Sequence, residues 1–392
     1  MAYHSWLYST PGRSPVQSWP LTSVLSNLAF GVILFFTLSG FLLYRPFAAS
    51  IMRGNPLPSA RRYLRNRALR IIPAYLAILF LVALVLQSAL THGSGGTLRS
   101  GALTQPRLLT ENALLVQGYQ PGSLLTGIGP AWSLAVECVF YLLLPGIALL
   151  GWLLAGSTAT RRRRRIAALA PALLLLVVGI SGKLVAAHAF DPGAYHGWKA
   201  DWQSVVERSF WCQADLFAFG MALAVVRVDA ENGITRFARG LRLVAAPLAL
   251  AAGALSLRMT TLSDELGFSL YNTLMAVGFA CLLALVVLPP RRANVPILVR
   301  ILETRPFVWA GLISYSVFLW HEPIVRWLEG HGLTATGTAG LVGNTLLLLT
   351  LTVALSTLTY RWIELPALRQ KGRASRRGAV PEAPAEQVQA AP

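Results

Sequence analysis

The stretch Pro130-Ala131-Trp132-Ser133-Leu134-Ala135-Val136-Glu137-Cys138-Val139-Phe140-Tyr141 opens an apolar block that runs on to Leu154. Such a block of some twenty residues matches the length of helix needed to cross a hydrocarbon core about 30 Å thick. A single carboxylate lies inside it. Ser133, Glu137 and Tyr141 recur every four residues, so on a helix they form one polar stripe down an otherwise apolar rod. Comparable blocks are Leu21–Tyr44, Ile71–Leu90, Ile166–Ala187, Ser204–Val226, Leu243–Leu257, Phe268–Leu288, Phe307–Leu328 and Leu341–Tyr360. None alternates at period two, as the strands of a barrel would. The fold expected is an all-α, polytopic transmembrane helical bundle with about nine full spans.

Composition agrees. Of 392 residues, 55% are hydrophobic and 13% charged, where a soluble domain carries about 25% charged residues. The net charge of +18 would point to nucleic acid in a soluble chain. Here the arginines gather between alternate spans, as Arg45–Arg70, Arg161–Arg165, Arg227–Arg242, Arg291–Arg305 and the tail from Arg361. That alternation is a topology signal. The positive-inside rule puts these segments and the C-terminus in the cytoplasm of a cell-membrane protein, with no nucleic-acid partner. The segments 91–129, 188–202 and 329–340 face outward. Cys138, Cys212 and Cys281 lie in or beside apolar blocks without metal or pairing spacing, so they read as packing residues.

The same alternation places the region near Ser18 outside, which requires a further span before Leu21. Met1–Tyr8 supplies only about 12 Å of helix. The chain is therefore expected to begin inside its first transmembrane helix, with its C-terminal half alone present. Residues 1–368 form the transmembrane domain. Residues 369–392, basic and then rich in Ala, Pro, Glu and Gln, read as a disordered cytoplasmic tail.

Five stretches carry polar residues in the apolar background. Phe35–Leu43 contains Ser39-Gly40, a small pair that allows close helix approach and on physics alone is packing. Tyr63–Tyr75 places Arg67 and Arg70 three apart on one face, at the mouth of a span. They either snorkel to the interface or clamp an anionic ligand, since guanidinium forks match phosphate oxygens. Pro130–Tyr141 holds Glu137, a membrane carboxylate that is either functional or paired with a nearby cation. Gly311–Pro323 contains His321-Glu322, catalytic or structural. Tyr360–Pro366 ends the series.

In this order and spacing the five stretches resemble the acyltransferase-3 family, over about residues 1 to 366. Ala2-Tyr3-His4-Ser5 is similar to the histidine end of that family's Arg-x10-His motif, whose arginine would precede Met1. Cys138 departs from the pattern, where a second acidic residue is common. The resemblance implies transfer of an acyl group, typically acetyl, from cytosolic acyl-CoA as co-substrate to a hydroxyl of a carbohydrate, cell-surface glycan or secondary metabolite, with no permanently bound cofactor or metal. It implies that Arg67 and Arg70 meet the phosphates of acyl-CoA. His4 would act as the base or as a transient acyl carrier. Glu137 would orient the imidazole or the acceptor, with Ser133, Tyr141 and His321 binding substrate. The competing reading is a transporter or flippase that uses Glu137, Asp215 and Lys183 as a substrate or proton path.

Overall fold

A computed structural model describes residues 30–93, 98–156, 158–190, 199–259, 265–289 and 296–370. His4, the expected half-span and the tail from 371 lie outside the described residues. The elements are α1 (Gly31–Arg53), α2 (Ala60–Phe80, running on through a π-helical turn at Leu81–Val85), β1 (Ala89–His92), β2 (Leu98–Gly101), α3 (Pro106–Ala113), a 3₁₀ turn at Gln117–Tyr119, α4 (Ala131–Ala155), α5 (Arg161–Ala189), α6 (Trp202–Glu207), α7 (Phe210–Glu231), α8 (Thr235–Met259), α9 (Glu265–Val287), α10 (Ile297–Leu302), α11 (Arg305–Gly330) and α12 (Gly337–Thr359, followed by a π-helical turn at Tyr360–Glu364).

Eight helical segments among the described residues are long and apolar enough to cross a membrane. A ninth, α11, is 26 residues long but carries Glu322, Arg326 and Glu329 in its second half. It occupies the block 307–328 singled out above. The protein is therefore all-α and multi-pass, with only the hairpin β1–β2 as sheet.

The helices extend beyond the apolar blocks. Helix α2 begins at Ala60, eleven residues before Ile71, and α8 at Thr235 rather than Leu243. The arginines at 61–70 and 161–165 are thus helical rather than in loops. Arginine is a good helix former, and its long stem lets the charge reach water from a helix end. Ser59 and Thr160 cap the starts of α2 and α5 by accepting from the amides of Arg62 and Arg163, both at 3.4 Å.

Five arginines in the first turns of α5 oppose the helix dipole, by about 0.3–1 kcal/mol per exposed charge. Neighbours offset this. Arg165 pairs with Asp229 at 2.8 Å, and Arg161 donates to the Asn232 carbonyl at 2.9 Å. Arg45 and Arg53 reach Glu231. Arg227 and Arg242 donate to the Val287 and Leu288 carbonyls, closing the end of α9 at 2.6 and 2.7 Å. The basic residues of segments 45–53, 161–165 and 227–242 therefore meet at one end of the bundle.

Helices α1 and α7 cross without a gap. A Cβ on Gly40 would lie 2.2 Å from the Phe217 carbonyl oxygen, and one on Gly220 would lie 1.9 Å from that of Thr37. Around this crossing Phe36, Phe140 and Phe217 stack, with centroids 4.7 and 4.2 Å apart. Tyr44, buried beside Phe47, donates to the Ala168 carbonyl at 2.6 Å. This core fixes α1 against α4, α5 and α7.

Candidate active site

The stripe on α4 faces inward: Ser133, Glu137 and Tyr141 are all buried, Glu137 to 3% exposure. Ser133 donates its hydroxyl to the Pro130 carbonyl at 3.0 Å, so it closes the start of its own helix. Glu137 Oε1 accepts a short hydrogen bond from Ser39 on α1. Tyr141, one turn further along, is within hydrogen-bonding reach of the same carboxyl. Among the described residues Glu137 makes no salt bridge.

Ser39 thus does more than pack. Adjacent residues on a helix point about 100° apart. Gly40 therefore meets α7 while Ser39 meets α4, and one Ser-Gly pair serves both contacts. Sequence reasoning took the pair as packing and saw only the Gly40 half.

Arg67 on α2 lies within electrostatic range of Glu137, as does Tyr63 one turn before it. Arg67 Nε and the Tyr63 hydroxyl are both buried with no hydrogen-bond partner. Buried donors are paired almost without exception, so two orphans side by side near a carboxylate mark a place for acceptor oxygens.

Arg70 differs. Its guanidinium donates to Glu364 Oε2 at 2.9 Å and lies over the Tyr315 ring at 5.8 Å. Glu364 Oε1 accepts from Ser316 at 2.5 Å, Tyr315 donates to the Ile71 carbonyl at 2.9 Å, and Trp320 donates to Thr359 at 3.0 Å. These bonds tie Tyr63–Tyr75, Gly311–Pro323 and Tyr360–Pro366 together. The five stretches that stood out in the sequence therefore converge, one pair through Ser39 and Glu137, three through Arg70 and Glu364, with Arg67 and Tyr63 between the groups. Glu364 and Ser316 are site-region residues that sequence reasoning did not single out.

His321 is buried, with Nδ1 2.8 Å from the Phe318 carbonyl oxygen. A carbonyl only accepts, so Nδ1 carries the hydrogen of this bond. Beside it, Glu322 Oε1 accepts from Arg326. Lys183 and Asp215 pair with each other at 2.6 Å, and Thr273 bonds both at 2.6 Å. They form a buried cluster between α5, α7 and α9, in which Asp215 Oδ1 has no hydrogen-bond partner, and share no hydrogen bond with Glu137. Among the described residues no three His, Cys, Asp or Glu side chains come together as a metal site.

A family model described as an acyltransferase domain matches residues 1–361. No curated protein matches the chain. No solved structure matches it either. The match covers the first four of the converging stretches, the start of the fifth at Tyr360-Arg361 and the bundle that carries them: the chain belongs to the acyltransferase-3 family and is a multi-pass membrane acyltransferase.

Proposed function

We propose that the protein transfers an acetyl group from cytosolic acetyl-CoA to a hydroxyl of a carbohydrate, on a surface glycan or a glycosylated secondary metabolite. The observation that carries this reading is the buried carboxyl of Glu137, hydrogen-bonded by Ser39 and within electrostatic range of Arg67, whose Nε is buried and unpartnered. A phosphate or thioester oxygen of acetyl-CoA would satisfy that donor and the Tyr63 hydroxyl. Arg70, already paired with Glu364, supports the site from beside it and keeps part of its fork for the same ligand.

In the reaction the acceptor oxygen attacks the thioester carbonyl carbon. Its proton passes to the imidazole of His4, the candidate base. The C–S bond then breaks, its electron pair leaves on sulfur, and the imidazole returns the proton to that thiolate. The products are an acetate ester and free CoA thiol. Glu137 orients the imidazole and stabilises its charged form. His4 as a transient acyl carrier would split the same chemistry into two steps. Ser133, Tyr141 and His321 line the path of the acceptor.

The test is transfer of labelled acetyl from acetyl-CoA to glycan in membranes containing the protein. Label should appear with the wild type and not with His4→Ala. Equal labelling by membranes lacking the protein would overturn the reading, and equal labelling by His4→Ala would overturn the assignment of the base.

A further inference from the structure

The segment between α2 and α4 does not stay on top of the bundle. The Tyr75 hydroxyl donates to the Asn112 carbonyl at 2.8 Å, and Tyr75 lies about ten residues, or about 15 Å, before the end of its helical run at Val85. The chain therefore dips back among the helices at the end of α3. In the dip, Leu115 and Leu125 hold left-handed backbone with φ of 59° and 64°, a conformation that leucine rarely adopts. Strained residues of this kind persist where the surroundings impose a special shape.

Between these two leucines lies Gln117, 1% exposed, with neither its amide nitrogen nor its amide oxygen hydrogen-bonded. Its position does not depend on which way the amide is turned, since both ends are vacant. Its turn packs against α4. Tyr119, two residues on and 46% exposed, lies within electrostatic range of Cys138, the neighbour of Glu137.

We propose that the Gln117–Tyr119 turn binds the acceptor, with the Gln117 amide holding hydroxyls of a neutral hexose and the Tyr119 ring covering its apolar face. This rests on the reading above that the acceptor is a carbohydrate. A primary amide offers two donors and one acceptor. Neighbouring sugar hydroxyls both donate and accept, so they match it, and no charge at Gln117 calls for a charged ligand. The turn packs against α4, the helix that carries Glu137.

The experiment measures thermal unfolding of the full chain in detergent, alone, with acetyl-CoA, and with methyl glucoside, methyl galactoside or methyl N-acetylglucosaminide as probes. Gln117→Leu removes a vacant buried amide. Without ligand it should melt at or above the wild-type temperature. At least one hexoside should stabilise the wild type and lose at least tenfold in apparent affinity for the variant, with acetyl-CoA protection the same in both. Equal hexoside protection in both proteins, or none in the wild type, overturns the assignment. Hexoside discrimination without acetyl-CoA protection would instead remove the donor reading and leave this site standing. Gln117→Met, which keeps the shape without the amide, gives the same comparison if the leucine variant does not fold.

Discussion

Placing a methyl group at the crossing of α1 and α7 tests the packing that carries Ser39. In Gly220→Ala the new Cβ would lie 1.9 Å from the Thr37 carbonyl oxygen and 2.7 Å from the Phe41 amide nitrogen, against an ordinary contact of 3.4 Å or more. Both clashing atoms are backbone, so no side chain can rotate away and the two helices must part by more than 1 Å. Overpacking of this kind costs about 1–3 kcal/mol. The shift moves Ser39, which sits next to Gly40, against Glu137 on α4, so acetyl transfer should fall as well. Gly253 on α8 is the control, because a Cβ there meets nothing within 4 Å. Gly253→Ala should stabilise by about 0.5–1 kcal/mol through backbone entropy. The assay is reversible unfolding in mixed micelles, followed by tryptophan fluorescence. The same substitution should therefore change stability in opposite directions at the two sites. A Gly220→Ala protein within about 0.5 kcal/mol of wild type would refute the close crossing.

Asp215→Ala leaves Lys183, 3% exposed in its side chain, with Thr273 alone and should destabilise by about 3–5 kcal/mol. The double variant Lys183→Met/Asp215→Leu should recover most of that in the same unfolding assay. Arg107 holds the Glu111 carboxyl below its usual range through a hydrogen bond at 2.8 Å. A lowered carboxyl contributes stability above its unfolded value that is lost as pH falls through the folded one. Because Arg107 is largely exposed, the contribution to α3 is about 0.2–0.5 kcal/mol. Hydrogen exchange of α3 should therefore rise slightly below about pH 4, and the rise should vanish in Arg107→Ala.

The spans were legible because a membrane demands blocks of some twenty apolar residues, and each block in the described part of the chain is helical over most of its length. Their ends were not legible, because arginine both favours helix and reaches water from it, so Ala60–Arg70 and Arg161–Arg165 extend helices past the apolar limit. Glu137 was legible from the four-residue spacing of its stripe and the rarity of a carboxylate there. Ser39 was half legible: its neighbour Gly40 advertised close packing, while the bond to Glu137 joins residues 98 apart in sequence. Arg67 and Arg70 look equivalent in sequence. Glu364, 294 residues away from Arg70, separates them by capturing one and leaving Nε of the other vacant. Gln117 carried no signal at all, since a glutamine in a connecting segment is ordinary until its burial is known. The hairpin and the inward dip of residues 106–130 escaped for the same reason: their short elements are set by contacts such as Tyr75 to Asn112.

The central claim is that Glu137 serves the chemistry rather than the packing. The direct measurement is the rate of labelled acetyl transfer from acetyl-CoA by protein reconstituted in liposomes, wild type against Glu137→Gln, normalised to folded protein. The glutamine keeps an oxygen for Ser39, so the bundle should remain intact while the rate falls by about 100-fold or more. A folded Glu137→Gln protein transferring acetyl at the wild-type rate would contradict the account.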